Sequence, residues 1–286
     1  HVTGLAQRDR ALATRLLQAG PPPPRATYRL QLHEGFPLSA ARAIVPYLAR
    51  LCISHVYASP VWASTSGSMH GYDVIHYERI DDELGGQAAL DALSAELDAC
   101  GMGLILDVVP NHMGIGGGAN QWWQDVLENG RASEFASYFD IDWRPLKHEL
   151  RNQVLVPVLG DQFGNILERG ELRLVFDQGA FHIDYYGTPF PIAPPSYPLV
   201  LQPVLLAVQD AYARNALPLL ELESVISAFE RLASNDESDP TLLAERRREQ
   251  LLSKHRLAAL IADEPPMRDA LALAIARING TVGDPA

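Results

Sequence analysis

The sequence is short of several things, and each shortage excludes something. No run of about 18 uninterrupted apolar residues occurs, so no membrane span is expected. Basic residues are outnumbered: 23 Lys and Arg face 35 Asp and Glu, a formal net charge of −12. A nucleic-acid binder would show a basic patch, so the expected ligand is neutral or cationic, with no nucleic-acid and no membrane partner. Only two cysteines are present, Cys52 and Cys100. Both sit in apolar patterns and read as buried free thiols rather than a disulfide, which suits a reducing cytoplasm. No signal peptide is visible, and a chain beginning at His1 is expected to lack its true N-terminus. Internal repeats are absent too.

What is present is a large apolar fraction, 47% of 286 residues. That supports one large domain or two ordinary ones. Residues 5–19 carry Leu5, Leu12 and Leu16 on one side of an amphipathic helix, which Gly20 and the stiff run Pro21–Pro24 then end. An alternation follows. "ATYRLQL" (26–32), "SHVYASPV" (54–61) and "GLILDVV" (103–109) read as strands. "LSAARAIVPYLARL" (38–51) reads as a helix with Leu38, Ala41, Val45 and Leu48 on one face and a kink at Pro46. A second helix over 85–101 aligns Leu90, Leu93 and Leu97. Strand–helix–strand–helix–strand predicts right-handed βαβ units and a parallel sheet. Adjacent Ile105 and Leu106 predict a third strand covered on both faces.

From Gly114 to about Tyr197 the pattern changes to aromatics, turns and short β-like pieces: "NQVLVPVLG" (152–160), "GELRLVF" (170–176) and "AFHIDYY" (180–186). "TPFPIAPPSYP" (188–198) reads as a proline-rich crossing. Helices are expected after Leu199, over 204–216, 222–234, 241–263 and 267–278. The run Arg246–Arg248 reads as a solvated helix face. The expected organisation is a helix and spacer (1–24), three βα units (25–113), a β-rich insertion (114–198) and a helical subdomain (199–286).

One stretch stands out: "GLILDVVPNHMG" (103–114), a greasy strand ending in Asp107, with Asn111 and His112 just beyond. Parallel α/β folds bind ligands at the carboxyl ends of their strands. A buried aspartate that only ties down its loop is the bland alternative. The second strand also empties into polar and aromatic groups, His70-Gly71-Tyr72-Asp73. Sugars stack their C–H faces on aromatic rings and take directed hydrogen bonds from His, Asp and Asn. Taken alone, Tyr72 reads equally well as a core tyrosine.

"DVVPNH" (107–112) resembles the first signature segment of the α-amylase superfamily of glycoside hydrolases, and "HGYD" (70–73) resembles its sugar-subsite loop. More narrowly, "ATYRLQLHEGF", "VPYLARL", "SHVYASPV", "GSMHGYDV", "ELGG", "LDVVPNHM" and "FPIAPPSYP" resemble, in this order, the maltooligosyltrehalose synthase family. The resemblance implies the first part of a (β/α)8 TIM barrel with a β-rich insertion after strand 3. It implies intramolecular transglycosylation, converting the reducing-end α-1,4 bond of a maltooligosaccharide into an α,α-1,1 bond. It places Tyr72 under the sugar ring before the cleaved bond, with His70 and His112 on that sugar's hydroxyls. Asp107 would orient neighbours, including an arginine near the nucleophile. Asn111 would hold its loop, and Asp73 is a weaker ligand candidate. Trp62, Trp122, Trp123 and Trp143 are further stacking candidates that also suit packing. In calcium-bearing relatives the position of Asn111 ligates the ion. No dense carboxylate cluster surrounds it here, so no metal and no other cofactor is expected.

A barrel needs eight strands, and three are countable. A retaining mechanism needs two carboxyl groups about 5–5.5 Å apart. The superfamily's Gly-x-Arg-x-Asp strand with the nucleophile, and the glutamate acid on the strand after it, are not found. Asp184 has His182 where the arginine should stand and reads as structural. The chain is therefore expected to be an N-terminal portion, inactive alone, whose partners are an α-glucan and the remaining C-terminal polypeptide. Two alternatives stay open: an α-1,4-glucan hydrolase of the same superfamily, and a non-catalytic carbohydrate-binding fragment.

Overall fold

The computed structural model describes residues 23–213, 215–235, 237 and 239–283. The helix expected over residues 5–19 lies outside them. The chain divides into two compact units, His1–Gly114 and Ile115–Ala286.

In the first unit, β1 (Thr27–Leu30), β2 (His55–Ala58) and β5 (Gly103–Leu106) form a parallel sheet in the order β1-β2-β5. Arg29 stands beside Tyr57, and Tyr57 beside Ile105. Side chains alternate between sheet faces. One face therefore carries Leu30, Val56, Ala58, Leu104 and Leu106 into the core, packed with α1 (Leu38–Arg50) and α2 (Gly86–Ala99). The four α1 residues buried there are Leu38, Ala41, Val45 and Leu48, the expected face. The opposite face carries Arg29, Tyr57 and Ile105. All four residues of β5 are only half-buried, so the expected cover on both faces of that strand is not present in this unit.

β3 (Trp62–Ser64) and β4 (Val74–Ile80) pair antiparallel, with irregular register, and hold up the loop 65–73. The sequence alone suggested only a polar loop there. Cys52 and Cys100 are free, but Cys52 is exposed, on a turn with φ 62°, and Cys100 is half-buried; neither is a core thiol.

In the second unit, β6 (Leu172–Asp177), β7 (Ala180–Tyr185) and β8 (Thr188–Pro191) form an antiparallel meander. Two-residue turns join them, Gln178-Gly179 and Tyr186-Gly187, all four with positive φ. That geometry matches the twist of the flanking strands. β8 occupies part of the stretch read as a crossing. Residues 152–160 form no strand. Two helices appear where none was expected, α3 (Gln121–Asn129) and the short α4 (Phe163–Glu168). Asn120 caps α3 by accepting the Trp123 N–H at 3.0 Å. Helices α5 (Pro198–Val208), α6 (Leu217–Glu230), α7 (Pro240–Asp263) and α8 (Pro265–Asn279) complete the unit. Sheet and helices share one core: Leu174 and Phe181 pack with Tyr197, Leu201, Phe229, Leu257 and Met267.

The expectation of a solvated face at Arg246–Arg248 fails at its first residue. Arg246 is 4% exposed. Its guanidinium donates to Asn129 Oδ1 at 2.6 Å, Gln250 Oε1 at 3.0 Å, Asn235 Oδ1 at 2.5 Å and the Ala233 carbonyl at 2.9 Å. A buried charge persists only with its donors satisfied, and the sequence run did not reveal which of three arginines turns inward. Arg247 and Arg248 are exposed, Arg247 pairing with Glu134 at 2.7 Å.

Candidate functional site

The site grows from the face of the sheet that bears Arg29 and Tyr57. Asp107 follows β5 with the same side-chain parity as Ile105, and its N–H still bonds the Ala58 carbonyl at 3.0 Å. The extended backbone therefore delivers its carboxylate to that face, at the carboxyl end of the strands. There Asp107 Oδ2 accepts three hydrogen bonds: from Arg29 Nη1 at 3.0 Å, Tyr57 OH at 3.0 Å and Tyr72 OH at 2.5 Å. Arg29 Nη2 also donates to Tyr72 OH at 2.7 Å, and its guanidinium lies 4.5 Å from the centre of the Tyr57 ring. The phenol of Tyr72 is thus fixed as acceptor from Arg29 and donor to Asp107.

Electrostatics follow from these contacts. The Tyr72 hydrogen bond, chiefly, holds the Asp107 carboxyl below its usual range; Arg29 and Tyr57 act the same way, against the opposing effect of burial. The carboxylate in turn pushes the Tyr57 phenol up. Burial works to lower the Arg29 guanidinium, but its bonds to Tyr72 and Asp107 outweigh that and raise it. Asp107 is therefore an anion and Arg29 a cation across the neutral range.

Loop 65–73 brings the remaining groups. Gly71 has φ +71°, and a Cβ there would stand 2.8 Å from the Pro60 carbonyl, so the turn under Tyr72 requires glycine. His70 Nδ1 accepts the Tyr72 N–H at 3.0 Å. A nitrogen that accepts carries no proton, which leaves Nε2–H as the donor of a neutral His70. Asp73 Oδ1 lies 3.6 Å from that same Nδ1 and accepts from Ser68 Oγ at 2.5 Å. His112 Nε2 lies 3.0 Å from the Tyr72 carbonyl. A carbonyl only accepts, so this Nε2 is protonated and Nδ1 is the acceptor in the neutral ring. The rings of His70 and Tyr72 sit 6.0 Å apart at 37°. Tyr77 OH donates to the carbonyls of Val109 and, at 3.3 Å, His112, tying the loop after β5 to β4.

Five of the six sequence candidates, His70, Tyr72, Asp73, Asp107 and His112, are linked through Tyr72 and His70. Asn111 is exposed beside them. Sequence reasoning missed Arg29 and Tyr57. Their signal was positional: both share the parity of Asp107, but only the strand register sets them side by side. The arginine that Asp107 engages here comes from β1. Among the tryptophans, Trp62 tilts against Tyr77 at 6.2 Å, Trp122 stacks on Phe135 at 5.3 Å and Trp123 packs on Phe139 at 5.0 Å. Trp143 is half-buried. Asp184 lies on β7 and accepts the Gly187 N–H at 3.2 Å, a turn contact. Among the described residues no group of three His, Cys, Asp or Glu side chains is arranged to hold a metal, and no helix is long and apolar enough to cross a membrane. A groove of 860 Å³ between α6 and α7 has walls of mixed charge and includes none of the residues above.

Residues 43–166, which include β2, β5, loop 65–73 and Asp107, match the family model described as the catalytic domain of alpha amylase. The chain is also similar to maltooligosyltrehalose synthases. It is 39% identical over 170 residues to a putative maltooligosyl trehalose synthase of Mycobacterium tuberculosis, covering 54% of this chain and 22% of that protein. The solved maltooligosyltrehalose synthase of Arthrobacter ramosus is 45% identical over 59% of this chain and 21% of its own, with a TM-score of 0.53. The intracellular maltogenic amylase of Bacillus subtilis is 34% identical over 100 residues, 35% of this chain and 16% of its own. The resemblance read from the motifs therefore stands, for the fold and for the kind of relative. The chain spans 22% of the length of the curated synthase it matches.

Proposed function

We propose that this chain supplies the glucosyl-binding floor of an isomerase that turns the reducing-end α-1,4 bond of a maltooligosaccharide into an α,α-1,1 bond. The observation that carries the reading is the convergence of Arg29, Tyr57 and Tyr72 on Asp107 at the carboxyl end of the sheet. It joins in one place the two motifs, "HGYD" and "DVVPNH", on which the likeness to maltooligosyltrehalose synthases rests.

In this reading the Tyr72 ring is the platform on which a glucose ring stacks. Its hydroxyl is held at both ends by charged partners, so the ring cannot swing away. The Nε2–H of His70 and the Nδ1 of His112 would meet sugar hydroxyls as donor and acceptor. Asp107 orients Tyr72 and Arg29, Asn111 holds the loop after β5, and Asp73, the weaker candidate, meets a sugar hydroxyl itself. In this reading the nucleophile and the acid belong to the part of such an enzyme that this chain, 22% of the length of its curated relative, does not span. The acid protonates the departing glucose as the nucleophile forms a glycosyl ester; the freed glucose turns and attacks through its own anomeric hydroxyl, whose proton returns to that acid as the ester bond breaks and the nucleophile's carboxylate is released. Water has to be excluded for this outcome to win.

Incubating the complete enzyme with maltopentaose tests the reading. A non-reducing pentasaccharide is expected as the main product. Free glucose and maltose in its place would identify a hydrolase, and glucan binding without turnover a binding module.

A further inference from the structure

Loop 65–73 is anchored at its start by Glu83, whose carboxylate accepts from Ser66 Oγ at 2.7 Å and from the Gly67 N–H at 3.0 Å. Ser68 then bonds Asp73, and accepts the Gly71 N–H at 3.1 Å. The tip between these anchors is Met69-His70, just before Tyr72. Its two carbonyls accept from a single side chain, Gln31 Nε2, at 3.3 Å and 3.0 Å. An amide nitrogen has two N–H donors, one for each carbonyl. Gln31 follows β1 with the parity of Arg29, and its Oε1 accepts from Arg29 Nη2 at 3.3 Å. That bond fixes which way the amide points: oxygen toward the cation, nitrogen toward the loop.

We propose that Gln31 is a positioning residue that sets the height and tilt of the His70–Tyr72 segment over Asp107. Arg29 fixes the hydroxyl end of Tyr72, and through Gln31 it also orients the backbone that precedes that ring. One guanidinium thus holds the stacking platform and the loop carrying its neighbouring imidazole in a single register. Gln31 makes no demand on the reacting bond, so its effect falls on substrate binding. The inference rests on the glucan reading for its functional meaning, but not for the contact itself.

Gln31→Glu separates this role from general stability. The new carboxylate still accepts from Arg29 but presents an acceptor to two carbonyls, so the tip loses its donor and is repelled. In the complete enzyme, KM for maltopentaose should rise about tenfold with kcat changed less than about twofold. Hydrogen exchange in the peptide spanning residues 66–73 should quicken, while the melting temperature stays unchanged. Gln31→Ala should do the same more mildly, which guards against a folding artefact of the added charge. Unchanged exchange at 66–73 in both variants overturns the proposal, whatever happens to KM, as does a fall in kcat at constant KM. If exchange quickens but the parent enzyme makes no non-reducing product, the positioning role stands and the isomerase reading fails.

Discussion

Asp107 is where the chemistry of single residues concentrates, because one of its oxygens receives a guanidinium and two phenols. Those donors hold its carboxyl below the ordinary value of 3.8. A carboxyl depressed in the folded state contributes stability that is fully present above its ordinary value and is lost as pH falls through the folded one. The melting temperature of Asp107→Asn should therefore lie below that of the parent by a constant gap above about pH 5, and the gap should close as pH drops further. A gap that stays constant down to pH 2 would mean that shape, not charge, is what the substitution removes. Tyr72 makes a second residue-scale case. If the Tyr72 ring is the proposed stacking platform, Tyr72→Ala in the complete enzyme should reduce kcat/KM by roughly 100-fold, since it also removes two charge-assisted hydrogen bonds. Tyr47→Ala, at a position 52% exposed on α1, should leave activity near the parent value. Equal losses would reduce Tyr72 to a structural tyrosine.

At the scale of elements, periodicity was a good guide where one face is buried and the other is not. The spacing of Leu38, Ala41, Val45 and Leu48 gives α1 its buried face, and Leu93 and Leu97 do the same for α2. It misled at 152–160, where the alternation "QVLVPV" finds no partner strand and Pro157 removes one donor; residues 152–160 run as loop and turn. It overlooked α3, although Asn120 followed by Trp123 and Val126 is a capped helix start. The aromatics there suggested strand, and their burial on a helix decides otherwise. Pro46 gives an element-scale prediction. It lies inside α1, exposed, where it forfeits one backbone hydrogen bond and buries nothing. Pro46→Ala should stabilise the protein by about 1–3 kcal/mol in denaturant unfolding. A loss of stability would show that the fixed φ of proline outweighs the missing hydrogen bond.

The whole molecule is two compact units, each organised around its own core. In the first, β1 and β5 each pair only with β2 among the described residues, so both edges of the parallel sheet are open to further strands. In the second, Arg246 joins α3, α7 and the segment before α7 through its side-chain bonds. Removing it leaves buried amides without a donor, so Arg246→Ala should destabilise that unit by about 3 kcal/mol or more. Arg248→Ala, exposed on the same helix, should cost less than about 0.5 kcal/mol. Chemical denaturation of both variants checks this, and similar losses in the two would contradict a buried role for Arg246.

The sequence by itself determined the parallel βα order, the buried faces of α1 and α2, the family likeness, and five of the side chains that meet near Tyr72. These follow from local spacing and from motifs short enough to be read in one dimension. Only the tertiary structure decided that Arg29 and Tyr57 complete the site, that Gln31 reaches the loop before Tyr72, and that Arg246 turns inward while Arg248 does not. The reason is physical: strand register and helix rotation depend on partners distant in the chain, and a one-residue slip would send Arg29 and Tyr57 to the opposite face of the sheet.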